Sequence, residues 1–146
     1  MAMLPFCGYN MADYFAHWLE MGKKIPKPPK IFHVNWFRKG AGGKFLWPGY
    51  GENVRVLKWI LERVEGRGAA QETPIGYVPA NGGLTLDGMK ISDDSLNELL
   101  RVNPADWEME LEDAKQFLVK FGARLPREIR EEHAKLSKRF QHLVIA

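Results

Sequence analysis

Cysteine is almost missing from this sequence. The one residue, Cys7, excludes an intramolecular disulfide and fits a reducing compartment. Its apolar neighbours mark it as a buried thiol more than a nucleophile. Long hydrophobic runs are missing too. None approaches the roughly 20 residues of a membrane span. No basic region precedes Met3-Leu4-Pro5-Phe6, and that run breaks at Pro5 and Gly8, so no secretory leader is read there. The expectation is a cytoplasmic protein with no membrane partner.

A strong excess of one charge sign is missing as well. The net charge is +3 over 146 residues, with a pI of about 9.0. That balance gives mild support to an anionic ligand. Basic residues are spread along the chain and interleaved with acids, which is not a nucleic-acid footprint. Chemistry is scarce as well. No Ser, His and Asp are spaced as a triad, and the cysteine has no activating neighbours. His17 stands alone and reads as structural. Glu108, Glu110, Glu112 and Asp113 sit at mixed helical angles beside lysines and read as a solvated face. The phosphate-cradling GxxxxGK[ST] motif is absent, and GAGGK at 40–44 is a weak echo of it.

What is present suits one soluble domain with a real core: 45% hydrophobic and 27% charged residues. Asn10 caps a helix whose face is Met11, Tyr14, Phe15, Trp18 and Leu19, running to about Met21. A Pro- and Lys-rich connector follows at 22–30. A second helix starts near Asn53 with Val54, Val56, Leu57, Ile60, Leu61 and Val64, and stops at Gly66. Its Arg55, Lys58, Arg63, Glu62 and Glu65 read as a surface face. Residues 66–73 read as a loop, 73–79 as an edge strand or extended arm, and 84–91 as another extended piece. Ser92 and Asn103-Pro104 start two more helices, the second with a core stripe of Trp107, Leu111, Ala114, Leu118 and Phe121. A last helix follows Pro126, with Ile129, His133, Leu136 and Phe140. Residues 92–142 form a helical tail. The fold class is α+β: several helices around a few short strands that would normally join a larger sheet.

The stretch from Ile31 to Asn53 is the most informative. Ile31 to Phe37 is an apolar run that reads as a buried strand. A basic, glycine-rich loop follows, Arg38 to Lys44, then a turn at Trp47-Pro48-Gly49-Tyr50-Gly51. Trp36, Phe37, Phe45, Trp47 and Tyr50 lie in or beside this loop. Rings on a loop beside Arg38, Lys39 and Lys44 suit a flat anionic ligand such as a nucleotide. The same rings suit a cap over the core beneath. Asn53 also has two readings. It can cap the helix, or its amide, with both donor and acceptor, can read a base edge.

FHVNWFRK followed by GKFLWPGYGENVRVL closely resembles the carboxy-terminal part of GTP-dependent phosphoenolpyruvate carboxykinase. PFCGYNMADYFAHWL is similar to that family's PFFGYNF…HWL segment, and ETPIGYVP to its TPIG-V/I-P segment. The resemblance covers essentially the whole chain but only about the last quarter of the family's enzyme. It implies a C-terminal fragment of a larger mixed α/β nucleotide-binding domain, with Met1-Ala2-Met3 as an added start.

The resemblance also implies a function. The family converts oxaloacetate and GTP to phosphoenolpyruvate, carbon dioxide and GDP in gluconeogenesis, using divalent manganese or magnesium. It implies that Phe37, Phe45 and Tyr50 clamp the guanine, with Trp36 beside them. Asn53 would read the base edge, and Gly49, Gly51 and Glu52 would shape the loop. Tyr50 departs from the more usual Phe, and the GAGG stretch from a more charged linker. The family's phosphate loop, metal-binding residues and oxaloacetate-binding arginines belong to upstream segments not found in these residues. The expectation is therefore a chain without carboxykinase activity, with weak guanine-nucleotide affinity at best. It would associate with the remainder of the enzyme or, lacking it, with itself. The alternative is a stand-alone nucleotide-binding or interaction module without catalysis.

Overall fold

Asn10 begins the first helix as its sequence requires. Its Oδ1 accepts from the Ala12 N–H at 2.9 Å, and α1 runs Met11–Lys24. Asp13 in the first turn and Lys23 and Lys24 in the last complement the helix dipole. The helix ends at Ile25, which the following Pro26 holds in extended backbone. The computed structural model describes residues 6–145, with side chains through 141. The readings of Met1-Ala2-Met3 and Pro5 lie outside the described residues. The further elements are α2 (Asn53–Val64), β1 (Ala70–Thr73), β2 (Gly76–Pro79), α3 (Asp93–Leu100), α4 (Pro104–Val119) and α5 (Arg127–Ile145). The expected α+β class holds.

The chain packs as two units, residues 30–102 and the segments on either side of them. In the unit built from both ends, Met11, Ala12, Phe121 and Leu125 are buried. Phe121 meets Phe15 at 5.5 Å and Phe117 at 5.2 Å, both edge to face. The start of α4 follows the Asn103-Pro104 signal, with Asn103 Oδ1 accepting from the Ala105 N–H at 3.2 Å. Trp107 of α4 stacks on the buried Phe140 of α5 at 5.5 Å. His133 Nε2 lies 2.8 Å from the Leu111 carbonyl oxygen, a second tie between these helices. Ala114 is exposed, so the α4 stripe is interrupted there and Phe117 fills the core instead. Cys7 is half-buried against this core.

In the unit of residues 30–102, Trp47, Trp59 and Leu84 are buried. β1 and β2 form an antiparallel hairpin pairing Ala70 with Pro79 and Thr73 with Gly76. Residues 70–73, expected to be loop, are thus a strand. Ala70-Gln71-Glu72 has no apolar alternation to announce it. Ile31 to Phe37 is not a strand, contrary to its pattern. It runs unpaired, with Ile31 and Phe37 exposed, because no strand among the described residues lies beside it.

Helix α2 keeps part of its sequence reading: Val56 and Ile60 are half-buried, and Lys58 and Glu65 are exposed. Arg55 and Arg63, read as surface, instead face their own unit. Arg55 donates to the carbonyls of Thr85 at 2.7 Å and Asp87 at 2.9 Å. Lys58 donates to Thr85 Oγ1 at 2.8 Å. Arg63 donates to the Gly68 carbonyl at 3.0 Å and lies over the Tyr77 ring. Trp59 is the buried anchor, its Nε1 donating to the Ala69 carbonyl at 2.8 Å. Val54, Leu57, Leu61 and Val64 line the opposite, exposed side.

Candidate functional site

The glycine-rich loop is a small hairpin. Lys39 and Phe45 pair as an antiparallel bridge. The Leu46 N–H donates to the Arg38 carbonyl at 2.9 Å, and the Gly40 N–H to the Lys44 carbonyl at 3.0 Å. Its tip is a turn closed by the Gly43 N–H on the Gly40 carbonyl at 2.9 Å, with Gly43 at φ 72°, where glycine is favoured. The extra glycines therefore make a tight reversal. This geometry sets Lys39 Nζ 5.4 Å from the centre of the Phe45 ring. Phe37 meets Phe45 edge to face at 5.8 Å.

Burial separates the rings into two groups. Phe37 is 73% exposed, Phe45 56% and Tyr50 92%, whereas Trp47 is 4% exposed. Trp36 is half-buried and packs on Trp47 at 6.1 Å. The two readings of the rings thus divide by residue: Trp36 and Trp47 underpin the loop, and the other three face solvent. Arg38 does not face solvent with Lys39 and Lys44. Its Nη1 donates to the carbonyls of Leu99 and Arg101 at 3.2 and 2.8 Å, tying the hairpin to the end of α3.

Tyr50 opens a single 3₁₀ turn, Tyr50–Glu52. Gly49 precedes it at φ 133°, a conformation that side chains rarely adopt, and Gly51 is exposed. Glu52 precedes α2 without capping it, and its carboxylate is bound by Arg55 Nε instead. Asn53 is already helical, at φ −60° and ψ −29°, so its capping reading is corrected. Its Oδ1 accepts from Trp47 Nε1–H at 2.8 Å. A buried indole N–H needs an acceptor, and Asn53 is the one within reach. Sequence reasoning placed Trp47 near the site without this role. The signal was a tryptophan six residues before an asparagine across a Pro-Gly turn.

The hairpin offers flat exposed rings and a cation. It offers no nucleophile paired with a base. Among the described residues, no three His, Cys, Asp or Glu side chains are grouped to hold a metal ion. The divalent metal implied by the resemblance finds no donor set in them. No helix among the described residues is long and apolar enough to cross a membrane.

Fold and site together define an α+β piece that carries an exposed aromatic hairpin. Residues 1–139 match the family described as phosphoenolpyruvate carboxykinase C-terminal P-loop domain, and the chain belongs to that family. It is similar to proteins named phosphoenolpyruvate carboxykinase [GTP]. The one from Anaeromyxobacter sp. (strain K) is 55% identical over 127 residues, which are 87% of this chain and 21% of that protein. The one from Neocallimastix frontalis is 53% identical over 96% of this chain and 23% of that protein. The one from Corynebacterium jeikeium (strain K411) is 49% identical over 97% and 23% respectively. The chain thus spans less than a quarter of the length of these relatives.

Proposed function

We propose that this chain is the guanine-gripping, C-terminal part of a cytoplasmic GTP-dependent phosphoenolpyruvate carboxykinase. The whole enzyme converts oxaloacetate and GTP to phosphoenolpyruvate, carbon dioxide and GDP, a gluconeogenic step. The observation that carries this reading is the exposure of Phe37 and Phe45 on the hairpin beside Lys39, in a chain of this family. Core rings have no reason to face water, and a base face does stack on rings. Phe37, Phe45 and Tyr50 grip the base, with Trp36 behind them. Gly49, Gly51 and Glu52 shape the approach to Asn53, which reads the base edge. Phe37 and Phe45 touch edge to face at 64°. Binding parts them into a slot, an ordering step of the kind active-site loops make.

Phosphates, divalent manganese or magnesium, and oxaloacetate are handled by the remainder of the enzyme. Without those groups there is no electrostatic stabilisation of the transferring phosphoryl group, so this chain alone catalyses nothing and binds guanine nucleotide weakly. The exposed face of α2 packs on that remainder. The test is a titration of the pure chain with GTP, and with ATP as control, read by tryptophan fluorescence through Trp36 and Trp47. A weak, saturable response to GTP that ATP does not match is expected. Equal responses, or none, would overturn the claim that specificity resides in this segment. Oxaloacetate turnover by the pure chain would overturn its inactivity.

A further inference from the structure

We infer that Trp47 is a positioning residue that sets the base specificity of the site by fixing which end of the Asn53 amide faces the ligand. The inference rests on the proposed guanine-gripping reading and adds a cause for its specificity. Asparagine alone has no preference, because its amide can turn by half a rotation and present either a carbonyl or an N–H₂. Here the choice is made from behind. Trp47 is buried at 4% exposure, and its indole N–H can only donate. It lies 2.8 Å from Asn53 Oδ1. Turning the amide would set the N–H₂ against the indole N–H, donor against donor, and leave a buried indole unpaired. The carbonyl is therefore held inward, and Nδ2 with its two hydrogens is left for the ligand.

Trp47 is itself held. Trp36 packs on its ring at 6.1 Å. Asn53 is fixed at the first position of α2 in helical backbone. Both partners are thus set before any ligand arrives. An outward N–H₂ donates to a carbonyl at position 6 of a purine. It cannot pair with an amino group there, which is also a donor. The site so built accepts 6-oxopurines, guanine and hypoxanthine alike, and opposes the 6-aminopurine adenine.

The test uses the ¹⁵N-labelled full chain, titrated to millimolar GTP, ITP and ATP and followed by NMR. The wild-type Trp47 Nε1–H is expected to exchange slowly with water. The Asn53 side-chain N–H₂ peaks should shift with GTP and ITP and stay still with ATP. Trp47→Phe removes the indole N–H and keeps a ring. It is expected to let the amide turn, lowering the GTP-to-ATP affinity ratio about fivefold, the worth of one hydrogen bond. ATP binding should rise as GTP binding falls, which a loosened fold would not produce.

A fast-exchanging Trp47 indole in the wild type overturns the inference without any ligand or variant. So does Trp47→Phe retaining the full preference for GTP. If the Phe37 and Phe45 amides respond to GTP while Asn53 does not, this inference falls and the clamp reading stands. If nothing responds to GTP, both fall for this chain.

Discussion

Arg38 and Glu98 face each other at 3.5 Å, with Arg101 on the same carboxylate at 2.9 Å. The Arg38 guanidinium also donates to two carbonyls at the end of α3. One side chain thus satisfies two acceptors at a helix C-terminus and anchors the candidate hairpin. Arg38→Ala is expected to cost about 1 kcal/mol, near the worth of one hydrogen bond, since the carbonyls regain water. The hairpin amides should then exchange faster in NMR while α4 and α5 are unchanged. Uniform loss of protection across the chain would refute the anchoring role.

The same contact has a pH dependence of known sign. The hydrogen bond from Arg101, then the charges of Arg101 and Arg38, hold the Glu98 carboxyl below the ordinary glutamate range, against some desolvation. A carboxyl with a lowered folded value contributes stability above its unfolded value, about 4.3. That contribution fades as pH falls through the lower, folded value. Wild type should therefore melt above Glu98→Gln at pH 7, and the gap should close in the acid range below about pH 4. Thermal melts of both proteins from pH 7 to pH 3 check this. A gap that widens on acidification would reverse the assignment.

Phe45 separates binding from folding. It is 56% exposed, so Phe45→Ala should change stability by no more than about 0.5 kcal/mol. Base stacking on a ring is worth about 1–3 kcal/mol. The affinity for GTP should therefore drop about tenfold while the melting temperature barely moves. Fluorescence titration and a thermal melt of the same sample read both. An unchanged affinity would remove Phe45 from the clamp.

Local chemistry was legible in the sequence; partnership was not. Asn10, Ser92 and Asn103 announced their helices because a cap acts within three residues. Their side chains accept from the backbone N–H of Ala12, Ser95 and Ala105. Ile31 to Phe37 carries a true strand pattern, but a strand needs a neighbour, and pairing is not encoded in the run itself. Arg55 looked like surface because arginine usually is. It faces inward because the carbonyls of Thr85 and Asp87, 30 and 32 residues on, await a donor. At the candidate site the ring positions could be read, yet the orientation of Asn53 could not. That orientation depends on one indole N–H, which only the fold brings to it.

The apolar stripe of α2 leads to the last prediction. Val54, Leu57, Leu61 and Val64 are 64%, 51%, 63% and 52% exposed, along one side of a helix whose Arg55 and Trp59 are engaged on the other. Contiguous apolar surface of this kind marks an interface. For the chain on its own, the nearest available cover is a second copy. The wild type should therefore self-associate with rising concentration in sedimentation velocity. Leu57→Glu with Leu61→Lys places an acid four residues before a base, an arrangement that suits a helix. The double variant should sediment as a monomer, melt within about 0.5 kcal/mol of wild type, and keep its response to GTP. A wild-type chain that stays monomeric at high concentration would show that this face has no affinity for itself. The remainder of the enzyme would then be its only proposed cover.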